Sequence, residues 1–99
     1  MELIDQHISD LKILCDKYYV SELYVFGSVA NGKVTDKSDI DLLVRFSDVD
    51  PLEYYDNYMD FKESLSALFA RDIDLIEMQT IKNPILKRSI DRNKIILYG

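Results

Sequence analysis

Residues 25–46 read VFGSVANGKVTDKSDIDLLVRF, and the reading of this stretch decides both the fold and the chemistry. An apolar run ends in Gly27-Ser28, and after a gap of ten residues Asp39-Ile40-Asp41 heads a second apolar run. Side chains alternate across a strand, so Asp39, Asp41, Leu43 and Arg45 share one face and Ile40, Leu42, Val44 and Phe46 the other. The Asp face must be open at its start, whereas the Leu43 end can be covered. Two carboxylates fixed side by side repel each other unless a cation sits between them, and a hard divalent ion with oxygen ligands, Mg²⁺ above all, suits the pair. Gly27 and Ser28 offer backbone N–H groups and a hydroxyl where phosphate oxygens can lie. A metal site beside a phosphate cradle indicates nucleotide chemistry.

Working outward, the chain alternates helices and strands. Ile4, Ile8, Leu11, Cys15 and Tyr18 fall on one stripe at helical spacing, which predicts a helix over 2–18. Residues 21–26 form a first strand, Ser28 to Lys33 a short turn of helix, Gly32 to Ser38 a polar loop and 39–46 the second strand. Asp50, Pro51 and Glu53 read as N-cap, N1 and N3 of a capping box. The helix they open carries Tyr54, Tyr58, Phe61, Leu65 and Leu68 and ends near Phe69. Residues 72–78 read as a third strand, Asn83-Pro84 opens a last short helix, and 95–98 close as a strand. The prediction is an α/β (α+β) fold: one domain over residues 1–99, with a mixed, mostly antiparallel sheet of about four strands and helices packed against it.

Ninety-nine residues can close a single core without disulfides or a structural metal. A hydrophobic content of 47% with 30% charged residues describes an ordinary globular protein rather than a disordered one. The lone Cys15 cannot form an internal disulfide, the N-terminal residues carry no basic segment leading into an apolar one, and no stretch approaches membrane-spanning length. The expected location is the cytoplasm. A net charge of −6 argues against broad capture of nucleic acid and favours Mg²⁺ or a basic protein partner.

Gly27-Ser28, the ten-residue gap and Asp39-x-Asp41 resemble the signature of the DNA polymerase β nucleotidyltransferase superfamily. Four fixed letters at that spacing match by chance in roughly one chain of this length in a thousand. Within the superfamily the short chain looks most like the minimal nucleotidyltransferases, the MntA-type antitoxins that partner HEPN-domain toxins. The segments RDIDLIE and NPILKRSIDRNKIILYG follow in the family's order. On the third strand Asp72 and Asp74 are in phase, and parity does not choose between them. The family's third aspartate sits between two apolar residues, as in Ile73-Asp74-Leu75, so the resemblance carries that role to Asp74.

What the resemblance implies is transfer of AMP from ATP to an acceptor hydroxyl, with pyrophosphate leaving and two Mg²⁺ ions assisting. Asp39 and Asp41 would hold both metals, and Asp74 would bind the catalytic metal and help deprotonate the acceptor. Gly27 and Ser28 would grip the β- and γ-phosphates. Many relatives carry Arg-Gly shortly after Gly-Ser; here the place reads Asn31-Gly32, with Lys33 as a substitute cation. Larger transferases have a further domain for the acceptor, and its absence here implies an acceptor site built with a partner in a hetero-oligomer, by a homodimer or on an open face; it favours a protein acceptor, which the resemblance gives as a tyrosine of a HEPN toxin. Two alternatives are an aminoglycoside-type enzyme acting on a small-molecule hydroxyl and a catalytically vestigial antitoxin that works by binding alone. Outside the motif, Asp72 reads as solvated, His7 as a helix residue and Cys15 as a small core residue. Tyr54, Tyr55 and Tyr58 read as core and helix surface or as a partner interface. Lys82, Lys87, Arg88 and Arg92 form a solvated basic face, or one that meets triphosphate or an acidic partner.

Overall fold

A computed structural model of the chain describes residues 2–30 and 39–99. The elements run α1 (Glu2–Asp5), α2 (Ile8–Lys17), β1 (Val20–Phe26), α3 (Gly27–Ala30), β2 (Ile40–Phe46), α4 (Pro51–Phe69), β3 (Ile73–Glu77), a 3-10 turn (Met78–Thr80), α5 (Pro84–Asn93) and β4 (Ile95–Tyr98). The four strands form one sheet in the order β3-β2-β1-β4. β1 pairs antiparallel with both β2 and β4, and β2 pairs parallel with β3. The sheet is therefore mixed and mostly antiparallel, as the alternation predicts.

The period-2 pattern of β2 sets the layers. Ile40, Leu42 and Val44 are fully buried against a helical layer that contributes Ile4 of α1, Leu11 and Cys15 of α2, and Phe61, Leu65 and Phe69 of α4. Each such side chain contributes about 1.5–3 kcal/mol by leaving water. Leu43 on the opposite face is also buried, as is Ile90 of α5, and both lie outside that core cluster. One face thus carries the main core, and Leu43 and Ile90 are buried apart from it.

Two local expectations are corrected. The helix expected over 2–18 is two helices, broken at Gln6-His7; the His7 ring stands edge-on to Phe69, 5.4 Å between centroids, and Ile8 restarts the helix. The apolar stripe continues across the break, so periodicity could not reveal it. At Asp50 the carboxylate accepts from the Leu52 amide at 2.9 Å, one position before the N3 contact of a capping box. Strand bounds shift by a residue: β1 starts at Val20, β2 at Ile40, and β3 covers 73–77, with Met78 opening the 3-10 turn. The helical turn after Gly27 is α3; the remainder of the expected turn and the loop to Ser38 lie outside the described residues.

The cluster Tyr54, Tyr55 and Tyr58 divides by function in the fold. The Tyr58 hydroxyl donates to the Leu75 carbonyl, the Tyr54 hydroxyl to Glu77, and Tyr55 is 70% exposed. Burial pushes the Cys15 thiol up to about 12, the behaviour of an inert core residue. Among the described residues no helix is long and apolar enough to cross a membrane.

Candidate active site

Three segments converge at one edge of the sheet, and strand direction brings them there. Because β1 and β2 are antiparallel, the end of β1 meets the start of β2, and Phe26 pairs with Asp41. Because β2 returns through α4 to a parallel neighbour, the starts of β2 and β3 lie at that same edge. A parallel return of this kind needs a crossover helix, which α4 supplies. The register pairs Ile40 with Ile73, Asp41 with Asp74 and Leu42 with Leu75, and the Ile40 amide donates to the Asp72 carbonyl at 3.0 Å. Neighbouring strands lie about 4.8 Å apart, so Asp41 and Asp74 stand side by side on one face.

Gly27 closes the third side. It sits at φ +70°, and a Cβ built there would lie 2.2 Å from Asp41 Oδ2. Left-handed backbone and close approach both demand glycine at this position. Asp41 is half-buried, and its carboxyl is held above the usual aspartate value, first by burial, then by the negative charges of Asp74 and Asp39. Of the two in-phase aspartates, it is Asp74 on β3 that acts on Asp41, while Asp72, just before the strand, contributes its carbonyl to the ladder. The phenol of Tyr58, bonded to the Leu75 carbonyl, is pushed up by burial, then by Glu77 and Asp74.

The structure therefore brings Gly27, Asp39, Asp41 and Asp74 together, with Ser28 next in the chain within α3. Lys33 and the Asn31-Gly32 pair lie outside the described residues. Lys82, Lys87, Arg88 and Arg92 are all exposed on and before α5. The sequence reading missed the contact between Gly27 and Asp41; the glycine ending an apolar run was its signal, but the approach depends on the β1–β2 register.

A divalent cation fits the donor set. The groups are all carboxylate oxygens, on adjacent strands or, for Asp39, just before one, and their mutual repulsion is what a cation would relieve. Among the described residues no three His, Cys, Asp or Glu side chains are already gathered as a metal cage. Mg²⁺ sites in proteins commonly use one or two carboxylates completed by water and substrate phosphates rather than an all-protein cage.

The nucleotidyltransferase domain family matches residues 10–97. A Methanocaldococcus jannaschii protein named "Putative protein adenylyltransferase MJ1379" is 39% identical over 84 residues, covering 85% of this chain and 83% of its own length. The protein adenylyltransferase MntA of Thermococcus cleftensis is 33% identical over 76 residues, 77% of this chain and 74% of its own. Among solved structures, one described as a "putative minimal nucleotidyltransferase" superposes with a TM-score of 0.78 at 28% identity, over 95% of this chain and 92% of the other. The fold also matches, at a TM-score of 0.66 and 18% identity over 96% of this chain and 71% of the other, the structure of a tri-AMPylated Shewanella oneidensis HEPN toxin in complex with MNT antitoxin.

Proposed function

Since this chain belongs to the nucleotidyltransferase domain family and is an enzyme of the protein adenylyltransferase, MntA type, we propose that it moves AMP from ATP onto a tyrosine of a HEPN-domain toxin, in a Mg²⁺-dependent step, and so acts as the antitoxin of that pair. The observation that carries this reading is the ladder pairing of Asp41 with Asp74 against the glycine at 27. Residues 1–99 act as one nucleotidyltransferase domain in the cytoplasm, and the partner protein completes the acceptor side.

The acceptor hydroxyl oxygen forms a bond to the α-phosphorus, and the bond from that phosphorus to the α,β-bridging oxygen breaks. Pyrophosphate leaves with the electron pair, and the acceptor proton passes to Asp74. Asp39 and Asp41 would hold two Mg²⁺ ions with Asp74 on one of them, which when bound supply charge neutralisation on the leaving group and a more acidic acceptor hydroxyl. The amides at Gly27-Ser28 and the Ser28 hydroxyl hold the β- and γ-phosphates, and Lys33 adds a cation. Little covalent work falls to the protein; its contribution is position and field.

Support from relatives is consistent with this scheme: the two sequence relatives above carry the name protein adenylyltransferase, and a fold neighbour is held in complex with an AMPylated HEPN toxin. The test is mass spectrometry of the partner after co-expression with wild type and with Asp39→Asn/Asp41→Asn. AMP on a partner tyrosine with wild type alone is the expected result. An unmodified partner that is nonetheless inhibited overturns the reading and makes the chain an antitoxin by contact.

A further inference from the structure

The charge on this protein is segregated. Residues 82–94 hold five basic residues and one acidic, in a chain of formal net charge −6. Helix α5 contributes most of them, and it buries little apart from Ile90. Lys94 pairs with Asp91 at 2.9 Å and lies over the Tyr24 ring at 4.5 Å. Arg88 and Arg92 are exposed and have no ion-pair partner among the described residues. With Ile85 and Ser89 they occupy helix positions i, i+3, i+4 and i+7, one continuous stripe, and these four residues line a cavity of about 240 Å³.

Position gives that stripe its meaning. α5 packs beside α3, the turn that starts at Gly27. β4 leaves α5 directly, and Ile95 pairs with Val25 on β1. Antiparallel register then brings the chain at Asn93 and Lys94 level with Gly27 and Phe26. The last turn of α5 thus lies at the carboxylate edge of the sheet, beside α3.

We infer that Arg88 and Arg92 bind the β- and γ-phosphates of the incoming nucleoside triphosphate, with Arg92, nearer Gly27, making the stronger contact. A triphosphate entering this edge meets Asp39, Asp41 and Asp74, and anionic phosphate beyond the reach of a bound cation needs positive charge from elsewhere. A guanidinium presents a planar fork of donors that matches phosphate oxygens bidentately, and it holds its charge at every physiological pH. Two such groups one helical turn apart can follow successive phosphates. The cations are not required by the fold, because neither is buried or ion-paired.

The inference rests on the proposed use of ATP, and calorimetry with Mg²⁺ and ATP, ADP or AMP separates the two. Wild type is expected to bind ATP more tightly than AMP. Arg92→Gln should weaken ATP by about tenfold or more, the scale of one charge-assisted contact, and leave AMP unchanged. Arg88→Gln should act in the same sense but less, and Arg92→Lys should restore part of the loss. Lys12→Gln, which removes the same charge from the exposed side of α2, is the control and should leave ATP binding intact. Equal loss for ATP and AMP, or ATP affinity in Arg92→Gln within twofold of wild type, overturns the inference, including where the variant loses binding to an acidic protein partner instead. Failure of wild type to bind any of the three nucleotides rejects the reading of the site itself.

Discussion

One face of β2 carries two opposite electrostatic arrangements. At its start Asp41 stands beside Asp74 with Asp39 close by, and burial, then these like charges, hold the Asp41 carboxyl above its ordinary value. At its end Arg45 pairs directly across from Glu22 on β1, opposite charges 3.6 Å apart. The second arrangement is what a solvated sheet surface commonly offers: cross-strand complementarity of small value. The first opposes folding, since unpaired like charges on rigid neighbouring strands raise the energy of the native state. A protein keeps such a cluster where its chemistry requires it. The contrast separates residues that maintain the sheet from residues that use it.

The strongest way to break the contrast is Asp41→Asn. Label transfer from ATP should fall by about three orders of magnitude or more, as for other groups that act as one catalytic unit. The same change should raise thermal stability by a few degrees, because it removes a group whose charged form the fold disfavours. The sign follows from linkage. With the folded carboxyl raised above 3.8, the neutral form favours the folded state, and that contribution is lost as pH rises through the interval between 3.8 and the folded value. Melting curves of wild type and variant should therefore differ least well below pH 3.8, and the variant's advantage should grow above that interval. A variant less stable than wild type at pH 7 would mean that the acidic end is structural.

Gly27→Ala sharpens the comparison from the other side. The added methyl would sit 2.2 Å from Asp41 Oδ2 on a backbone at φ +70°, so stability should drop by about 1–3 kcal/mol in urea denaturation. Transfer should also fall, because Asp41 must move. The smallest effect belongs to Arg45→Ala: with the pair this exposed, the loss should stay under about 1 kcal/mol and transfer should be unchanged. A large activity loss in Arg45→Ala would erase the distinction between the two ends.

Much of this was legible because the signals are local. The alternation of β2 assigned Asp39 and Asp41 to one face and Ile40, Leu42 and Val44 to the core, since the side-chain period of a strand follows from backbone geometry alone. Asn83 and Pro84 marked the start of α5, where the Asn83 side chain accepts from the Ile85 amide at 2.9 Å. The break at Gln6-His7 was not legible, because its stripe of apolar residues runs on through it and the interruption coincides with a ring contact to Phe69, far along the chain. Nor was the exact use of Asp50, whose carboxylate reaches Leu52 instead of completing a box with Glu53.

The sequence by itself determined the order of strands and helices, the buried and open faces of β2, and the pairing of a Gly-Ser turn with two in-phase carboxylates. Periodicity and turn chemistry act between residues a few positions apart, and they leave their mark in the letters. Only the tertiary structure decided that Asp74 stands in register with Asp41, that Gly27 touches Asp41, and that the end of α5 comes level with that turn. Those facts belong to strand register and direction, fixed by how segments 14 to 70 residues apart pack together, and no local pattern in either segment encodes its partner.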